Sequence, residues 1–171
     1  MDGTQPGKQE STLWLLIKLL IFTIAAPGSV AVYVPWLLNA GRPADFEVGA
    51  ARYLGLLPLL VGATFYLRCA LDFAFKGRGT PAPIDAPKFL VTINLYRMVR
   101  NPMYVGVVMV LVGEALLFQS FVLLRYAALV WLGFHLFVLL YEEPHLRKVF
   151  GSDYETYCRQ VPRWLPRKPS V

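Results

Sequence analysis

The 171-residue sequence contains little charge, since Asp, Glu, Lys and Arg together make up 16% of it, against roughly 25% in ordinary globular chains. It has two cysteines, Cys69 inside an apolar run and Cys158 in a polar region, a placement that disfavours a disulfide between them. The sequence also lacks a metal-ligand spacing, a glycine-rich phosphate loop and a Ser/His/Asp set. We therefore expect no metal site and no soluble Rossmann-type cofactor domain.

Apolar residues dominate what is present, at 56% of the chain with a mean hydropathy of +0.48. A helix needs about 20 mostly apolar residues to cross a bilayer. Apolar runs lie at about 13–38, 48–75, 103–118 and 121–141, and the third is short for a full span. The sequence therefore predicts an all-α integral membrane protein with about four transmembrane helices, forming a single domain over residues 1–171.

Local residues predict the shape of these helices. Pro27 and Gly28 mark a kink in the first, and Pro58 and Gly62 are possible irregularities in the second. Only Gln119 and Ser120 separate the last two, so we expect these to form a tight antiparallel hairpin.

The basic residues indicate the orientation. Residues 76–100 carry five basic residues and one acidic residue, a net charge of +4, and residues 142–171 carry six basic and four acidic, a net charge of +2. Residues 39–52 are balanced. By the positive-inside rule, four spans place both termini and the two basic segments in the cytosol. Because the net charge of +6 is confined to these blocks, we expect no nucleic-acid partner.

The C-terminal region has its apolar residues at helical spacing. This pattern predicts an amphipathic helix at the cytosolic membrane surface, with a break near Gly151. The apolar positions are Leu146, Val149, Phe150, Tyr154, Tyr157 and Val161.

Two polar clusters stand at the same ends of neighbouring spans, YRMVRNPMYVG at 96–106 and YEEPHLRKVFG at 141–151. Arg97 and Arg100 can be interfacial anchors, or they can bind an anion together with the free N–H groups of a helix N-terminus. Glu142 and Glu143 can be a polar boundary, or they can bind an ammonium or hydroxyl group, since acids at a helix C-terminus are electrostatically unfavourable. We expect the two clusters to form one cytosol-facing site for a charged small molecule.

Four ionisable residues lie within the predicted spans, where charge is costly and often functional. Arg68 and Asp72 are one helical turn apart, so they form either an internal ion pair or a contact with a substrate headgroup. We expect Glu114 and His135, on facing helices of the hairpin, to make a structural hydrogen bond.

The stretch KFLVTINLYRMVRNPMYVG, followed by YEEPHLRKVFGSDYETYCRQVPRWLP, resembles the isoprenylcysteine carboxyl methyltransferase and phospholipid methyltransferase superfamily of integral-membrane enzymes. The resemblance covers roughly residues 87–166, and the first two spans, within residues 12–76, carry no comparable signature. It implies that residues 87–166 form the cofactor-binding part and that the cofactor is S-adenosylmethionine.

Carried over to this chain, the resemblance implies a set of site residues. Those expected to bind the cofactor are Lys88, Phe89, Leu90, Val91, Tyr96, Asn101, Pro102, Met103, Tyr104 and Glu142. The candidate catalytic residues are Glu142, Tyr104 and Arg100, and the candidate substrate-binding residues are Arg68 and Asp72.

The chain departs from the family pattern at two positions. Asn101 stands where the family usually has a histidine, and asparagine cannot act as a titrating base. Val138 stands where the isoprenylcysteine enzymes have an arginine that contacts the substrate carboxylate, a part that Arg68 or Arg100 would have to take here.

The resemblance predicts transfer of a methyl group from S-adenosylmethionine to a lipid or lipophilic acceptor, through a carboxylate or an amine. Two alternatives remain open at this point. One is an NADPH-dependent membrane reductase of the sterol-reductase type, whose 2′-phosphate would suit Arg78, Arg97 and Arg100. The other is a non-catalytic membrane scaffold. The acceptor and the oligomeric state are not determined by the sequence.

Overall fold

The computed structural model describes residues 12–77, 90 and 92–167, and in these ranges the chain is helical with no β-strand. The α-helices are α1 Thr12–Thr23, α2 Val34–Asn39, α3 Leu56–Asp72, α4 Pro102–Leu117, α5 Phe121–Phe137 and α6 Glu143–Gln160. Wider π-helical turns lie at Ile24–Tyr33, Phe73–Gly77 and Val138–Glu142. The first joins α1 to α2 and the third joins α5 to α6 without a break, whereas the second extends α3. Short 3₁₀ helices lie at Gly49–Gly55 and Asn94–Arg97.

Three continuous helical stretches in the described residues are long and apolar enough to cross a membrane, Leu13–Asn39, Gly49–Phe75 and Phe121–Gln160. Helix α4 is apolar but has 16 residues, fewer than the roughly 20 that a full crossing needs. The all-helical, membrane-embedded class is thus confirmed, and four crossings remain a prediction.

The first long helix changes its winding at the expected kink. Pro27 lies within the π-helical turn Ile24–Tyr33, because proline has no N–H to donate and its ring crowds the preceding turn. The Ser29 hydroxyl donates to the Ala25 carbonyl at 2.7 Å. The irregularity expected at Pro27 is therefore a π-helical turn.

Helices α3 and α4 pack through glycines. A side chain at Gly62 would collide with the Gly106 carbonyl, and one at Gly113 would lie 2.6 Å from the carbonyl of Gly55. Small residues allow two backbones to approach this closely in a membrane. The prediction of an irregularity at Gly62 is wrong, since α3 continues through it; Gly62 serves close helix packing instead. Helix α3 also continues through Pro58, which follows the change from the 3₁₀ helix Gly49–Gly55 to α-helix at Leu56.

Helices α4 and α5 form the expected hairpin, linked by residues 118–120. The Ser120 hydroxyl caps α5 by accepting from the Leu123 N–H at 3.4 Å. Gln119 Oε1 accepts from the Val48 N–H at 2.8 Å, and Asp45 Oδ2 accepts from the Phe121 N–H at 2.7 Å. The link between the first two long helices is therefore tied to the tip of the hairpin.

Helix α6 is the amphipathic helix predicted from the C-terminal pattern. It breaks at Gly151, whose φ of 51° and ψ of −126° interrupt the helix and suit only glycine. The buried face holds Tyr154 and Tyr157 and continues to Val161. The apolar part of the long helix ends near Tyr141, so we treat α6 as lying beyond the membrane-spanning part.

Candidate functional site

The loop before α4 is held by a buried carboxylate. Asn94 adopts a left-handed conformation with φ of 52°, which asparagine tolerates better than most residues. Its side-chain amide donates to Asp72 Oδ1 and Oδ2 at 2.8 and 2.9 Å. Asp72, at the end of α3, is 8% exposed. This contact fixes the start of the short helix Asn94–Arg97.

Helix α4 begins at Pro102, where the missing N–H of proline has no cost. Asn101 is the N-cap residue, but its side chain caps nothing. The Asn101 Nδ2 group instead donates to the Arg163 carbonyl at 3.1 Å. The backbone N–H of Arg100 donates to the Pro162 carbonyl at 2.9 Å. The residues after α6 thus pair with the residues before α4.

The two polar clusters predicted from the sequence meet in the fold. The Tyr104 hydroxyl, in the first turn of α4, donates to Glu142 Oε2 at 2.9 Å. Glu142 lies in the π-helical turn Val138–Glu142, just before α6. The start of α4 and the end of the α5 stretch are therefore in direct contact through side chains.

A cavity of about 390 Å³ lies beside this contact, within the size range of about 300–1,000 Å³ usual for small-molecule sites. We name it the Tyr104–Glu142 cavity. Its lining comprises Phe22, Phe73, Tyr96, Arg100, Asn101, Met103, Tyr104, Phe134, Phe137 and Glu142. One group of these side chains is polar and the other is aromatic, so the cavity joins a charged region to an apolar one.

The aromatic walls are in ordered contact. The rings of Tyr104 and Phe134 lie 4.6 Å apart, and the Phe73 ring meets the edge of Tyr96 at 5.7 Å. Helix α1 contributes Phe22. The walls therefore come from several of the long helices, and they exclude water from one side of the cavity.

Glu143 is only 2% exposed and is surrounded by arginines. Arg163 binds it through Nε to Oε1 at 2.6 Å and through Nη2 to Oε2 at 3.0 Å. Arg100 Nη1 lies 3.1 Å from Oε1, and Arg147 Nη2 lies 3.6 Å from Oε2. The hydrogen bonds to Glu143 raise the pKa of the Arg163 guanidinium above its ordinary value. Glu143 is thus the centre of an ion cluster.

The Arg100 side chain joins the ion cluster to the cavity. The side chain is 11% exposed and lines the cavity, and its Nη1 donates to Cys158 Sγ at 2.6 Å. Its Nε is buried and has no hydrogen-bond partner. Because the Arg100 side chain lines the cavity, an anionic group bound there would gain a charged partner.

Tyr96 closes the cavity on the loop side. Its carbonyl accepts from the Tyr157 hydroxyl at 2.7 Å, and its own hydroxyl shares a hydrogen bond with the Cys69 thiol. Burial raises the pKa of Tyr96 well above its usual value, and the nearby Cys69 and Glu142 raise it further. Tyr96 therefore stays protonated and acts as a hydrogen-bonding wall, not as a base.

The residues that form these elements match a known family. The family model described as phospholipid methyltransferase matches residues 51–153, which is more than half of the chain and includes α3, α4 and α5. The chain belongs to the phospholipid methyltransferase family. The match confirms the resemblance seen in the sequence and extends it to the second predicted span, which carried no signature of its own.

Individual relatives point to the same family. The chain is 36% identical over 80 residues to protein-S-isoprenylcysteine O-methyltransferase of Schizosaccharomyces pombe, covering 47% of this chain and 34% of the relative. It is 33% identical over 78 residues to protein-S-isoprenylcysteine O-methyltransferase B of Arabidopsis thaliana, covering 45% and 39%. It is 33% identical over 126 residues to a probable protein-S-isoprenylcysteine O-methyltransferase of Oryza sativa subsp. indica, covering 70% and 63%. The chain thus spans less than two thirds of the length of each of these relatives.

Most of the site residues expected from the family resemblance lie together. Arg100, Asn101, Met103, Tyr104 and Glu142 line the cavity with Tyr96, and Pro102 is buried among them. Leu90 lies apart, in a neighbouring groove of about 480 Å³ that Arg97 and Asp153 also line. Lys88, Phe89 and Val91 lie outside the described residues.

The predicted substrate-binding pair lies elsewhere. Arg68 is exposed on α3, and Asp72 is engaged with Asn94. Neither is among the described residues that line the cavity. The structure thus places Asp72 as an anchor of the loop before α4.

The predicted hydrogen bond between Glu114 and His135 is wrong. His135 Nδ1 accepts from Trp164 Nε1 at 3.0 Å, and its ring stacks on Trp131. Glu114 Oε2 is buried without a partner. Glu114 stands five residues before Gln119 at the hairpin tip and His135 stands sixteen residues after it. At 1.5 Å per residue the two therefore lie roughly 16 Å apart along the hairpin, too far for a hydrogen bond.

Sequence reasoning missed the phenylalanines of the cavity wall and the part played by Arg163. Phe22, Phe73, Phe134 and Phe137 stand in apolar runs, where a wall residue and a lipid-facing residue have the same appearance. Arg163 was visible within VPRWLP, the last part of the family resemblance. Its partner Glu143 is distant by 20 positions, so no local pattern connects them.

Proposed function

We propose that this protein is a membrane-embedded methyltransferase that uses S-adenosylmethionine and acts on a lipid or lipophilic acceptor. The observation that carries the proposal is the Tyr104–Glu142 cavity, where a half-buried carboxylate and a guanidinium meet aromatic walls at one end of the apolar helices. Family membership supports it, because the relatives are named O-methyltransferases. The relatives do not favour the reductase or the scaffold alternative.

The residues of the cavity fit S-adenosylmethionine. Glu142 can attract the ammonium group or accept from the ribose hydroxyls, and the Arg100 guanidinium can donate to the carboxylate, since the Arg100 side chain lines the cavity. Tyr96 and Met103 add apolar surface. When bound, the cofactor would supply a methyl group on a positively charged sulfur, whose carbon–sulfur bond would break to leave a neutral thioether as the acceptor bonds to the methyl carbon from the opposite side.

The protein contributes alignment and exclusion of water. The aromatic side chains of the cavity wall belong to the long apolar helices. An acceptor with an apolar chain can therefore enter from the bilayer while its polar end reaches Glu142. Holding two reactants in line in a dry cavity removes much of the entropic barrier. A carboxylate acceptor needs no base. For an amine acceptor, Glu142 is the carboxylate in the cavity that can take up the released proton.

The acceptor is defined here only as a class. Val138, where the isoprenylcysteine enzymes have an arginine, is 0% exposed and presents no charge. Arg68 is exposed away from the cavity, and Arg100 is bound to Glu143. A prenylcysteine carboxylate would therefore depend on Arg100, which also faces the cofactor. We propose a lipophilic acceptor, reached from the membrane, with the cofactor site and both termini on the cytosolic side.

Calorimetry on the detergent-purified chain tests the proposal. S-adenosylmethionine and NADPH are titrated separately into the wild type, Glu142→Ala and the matched control Glu47→Ala, whose carboxylate is exposed on the link before α3. We expect micromolar binding of S-adenosylmethionine, weakened at least about thirtyfold in Glu142→Ala because a charged contact in the cavity is lost. The control should bind like the wild type.

Each other outcome has a distinct meaning. Binding of S-adenosylmethionine that survives Glu142→Ala would place the cofactor outside the Tyr104–Glu142 cavity. Binding of NADPH alone would assign the protein to the reductases, and binding of neither would leave the scaffold alternative. If the expected result is obtained, transfer of a labelled methyl group to lipid extracts identifies the acceptor.

A further inference from the structure

The segment after α6, residues 161–167, is bound along the start of α4. Its backbone pairs with the preceding loop at two points, Arg100 N–H to the Pro162 carbonyl and Arg167 N–H to the Met98 carbonyl, at 2.9 and 3.0 Å. Trp164 anchors it to His135 on α5. This C-terminal segment therefore lies directly behind Arg100 and Asn101, two residues that line the cavity.

One residue of the C-terminal segment, Arg163, is connected to both Arg100 and Asn101. The Arg163 carbonyl accepts from the Asn101 side chain at 3.1 Å. The Arg163 guanidinium binds both oxygens of Glu143, and the oxygen bound at 2.6 Å is the one that Arg100 Nη1 also approaches, at 3.1 Å. Arg163 thus touches Asn101 directly and reaches Arg100 through one shared carboxylate oxygen.

The shared oxygen explains why the geometry needs Arg163. The terminal torsion of a glutamate is broad and roughly twofold, so a carboxylate held at one point can rotate. A bidentate guanidinium fixes its plane. With the plane fixed, Oε1 stays in place and orients Arg100, whose side chain lines the cavity.

We propose that Arg163 is a positioning residue that acts through Glu143 to hold Arg100, and through its carbonyl to hold Asn101, in the geometry that binds the anionic end of the cofactor. The inference rests on the proposed function, since it assigns a part of the site to a residue beyond residues 51–153, where the family match lies. Glu143 shares this positioning role, whereas the adjacent Glu142 lines the cavity itself.

The experiment measures cofactor affinity and thermal unfolding of the full chain in detergent. In Arg163→Gln we expect the Kd for S-adenosylmethionine to rise at least about tenfold, since a buried charge pair loses one member. Arg163→Lys should lie between this variant and the wild type, because lysine keeps the charge but not the two-point contact. In methyl transfer, KM for the cofactor should rise while kcat and the acceptor KM stay within about twofold.

A double-mutant cycle separates positioning from general destabilisation. Because Arg163 acts through Glu143, the double variant of Arg163→Gln and Glu143→Gln should bind the cofactor no more weakly than the weaker single variant. Arg159→Gln is the matched control, since Arg159 is exposed on α6 and bonds to the nearby Thr156. It should leave the Kd unchanged.

Two results would overturn the inference. One is a Kd within about twofold of wild type in both Arg163 variants. The other is that the two substitutions have fully additive effects on the free energy of cofactor binding and that the losses of affinity only parallel the fall in Tm. If Arg163→Gln does not fold, Arg163→Lys and Glu143→Gln, both close in size, give the decision. Failure of the proposed function is distinct, because there the wild type itself would not bind S-adenosylmethionine or would bind it without Glu142.

Discussion

Glu142 and Glu143 are adjacent in the sequence and have opposite surroundings in the fold. Glu142 lines the cavity and accepts from the Tyr104 hydroxyl. Glu143 is enclosed by Arg163, Arg100 and Arg147. Neighbouring residues of a helix point about 100° apart, so one can serve a cavity while the other holds an ion cluster. The fold therefore gives the two carboxylates different places, Glu142 at the cavity and Glu143 in the ion cluster.

The Tyr104 hydroxyl can be removed without altering the ring. In Tyr104→Phe, Glu142 loses a half-buried donor at 2.9 Å, and the hydrogen bond lost is worth about 1–3 kcal/mol because the carboxylate is a charged acceptor. We expect cofactor affinity to fall about tenfold as the carboxylate loses its fixed orientation. Calorimetry with S-adenosylmethionine measures the change.

Tyr141→Phe is the control for this substitution, because Tyr141 precedes Glu142 directly but is exposed. It should bind like the wild type. Unchanged affinity in Tyr104→Phe would show that the hydroxyl does not orient the carboxylate for binding.

The elements that carry the cavity are irregular where they reach it. Phe73 lies in the π-helical turn Phe73–Gly77, and Glu142 lies in the turn Val138–Glu142. A π-helical turn inserts a residue and changes which side chains share a face, and such turns are frequent at functional sites. Here the turns bring an aromatic wall residue and the carboxylate to the same cavity.

The regular part of the fold depends on the close contact between α3 and α4. In Gly62→Ala, the new methyl group would collide with the Gly106 carbonyl and lie 2.8 Å from Met109 Cβ. Because backbone cannot yield as a flexible side chain does, we expect a loss of about 1–3 kcal/mol in the free energy of unfolding. Unfolding in detergent, followed by circular dichroism, measures it.

Gly133→Ala provides the matched comparison. A Cβ at Gly133, inside α5, would meet nothing within 4 Å, so we expect no loss and a gain of up to about 1 kcal/mol from helix propensity. Equal losses in the two variants would refute glycine packing as the reason for the effect at Gly62.

At the scale of the whole molecule, the site lies where the loop before α4, the π-helical turn Val138–Glu142 and the C-terminal segment converge at one end of the helices. The basic segments 76–100 and 142–171 flank this end, which is the basis for predicting that it faces the cytosol. The prediction depends on whether α4, with 16 residues, completes a crossing.

A reporter that is active only in the cytosol, fused in turn to each end of the chain, tests the topology. Four crossings place both ends in the cytosol, so both fusions should be active. Activity of one fusion alone would mean an odd number of crossings, and α4 would then not span the membrane. Two inactive fusions would reverse the predicted orientation.

Local patterns predicted the elements well. The irregular turn at Pro27, the hairpin tip at Gln119 and Ser120, and the break at Gly151 are all found, because each follows from the conformational limits of one or two residues. The expectations at Gly62 and for Glu114 with His135 failed, because both concern contacts between helices. The roles of the site residues and the orientation remain predictions.

The sequence alone determined the helical class, the apolar stretches, the two polar clusters and the family, because hydrophobic length and motif identity are written in neighbouring residues. The tertiary structure alone decided which carboxylate contacts the cavity, which phenylalanines form its walls, and that Arg163 reaches Arg100 through Glu143. These depend on helix rotation and on pairs far apart in the chain. No local pattern encodes such contacts, because they exist only once the helices pack.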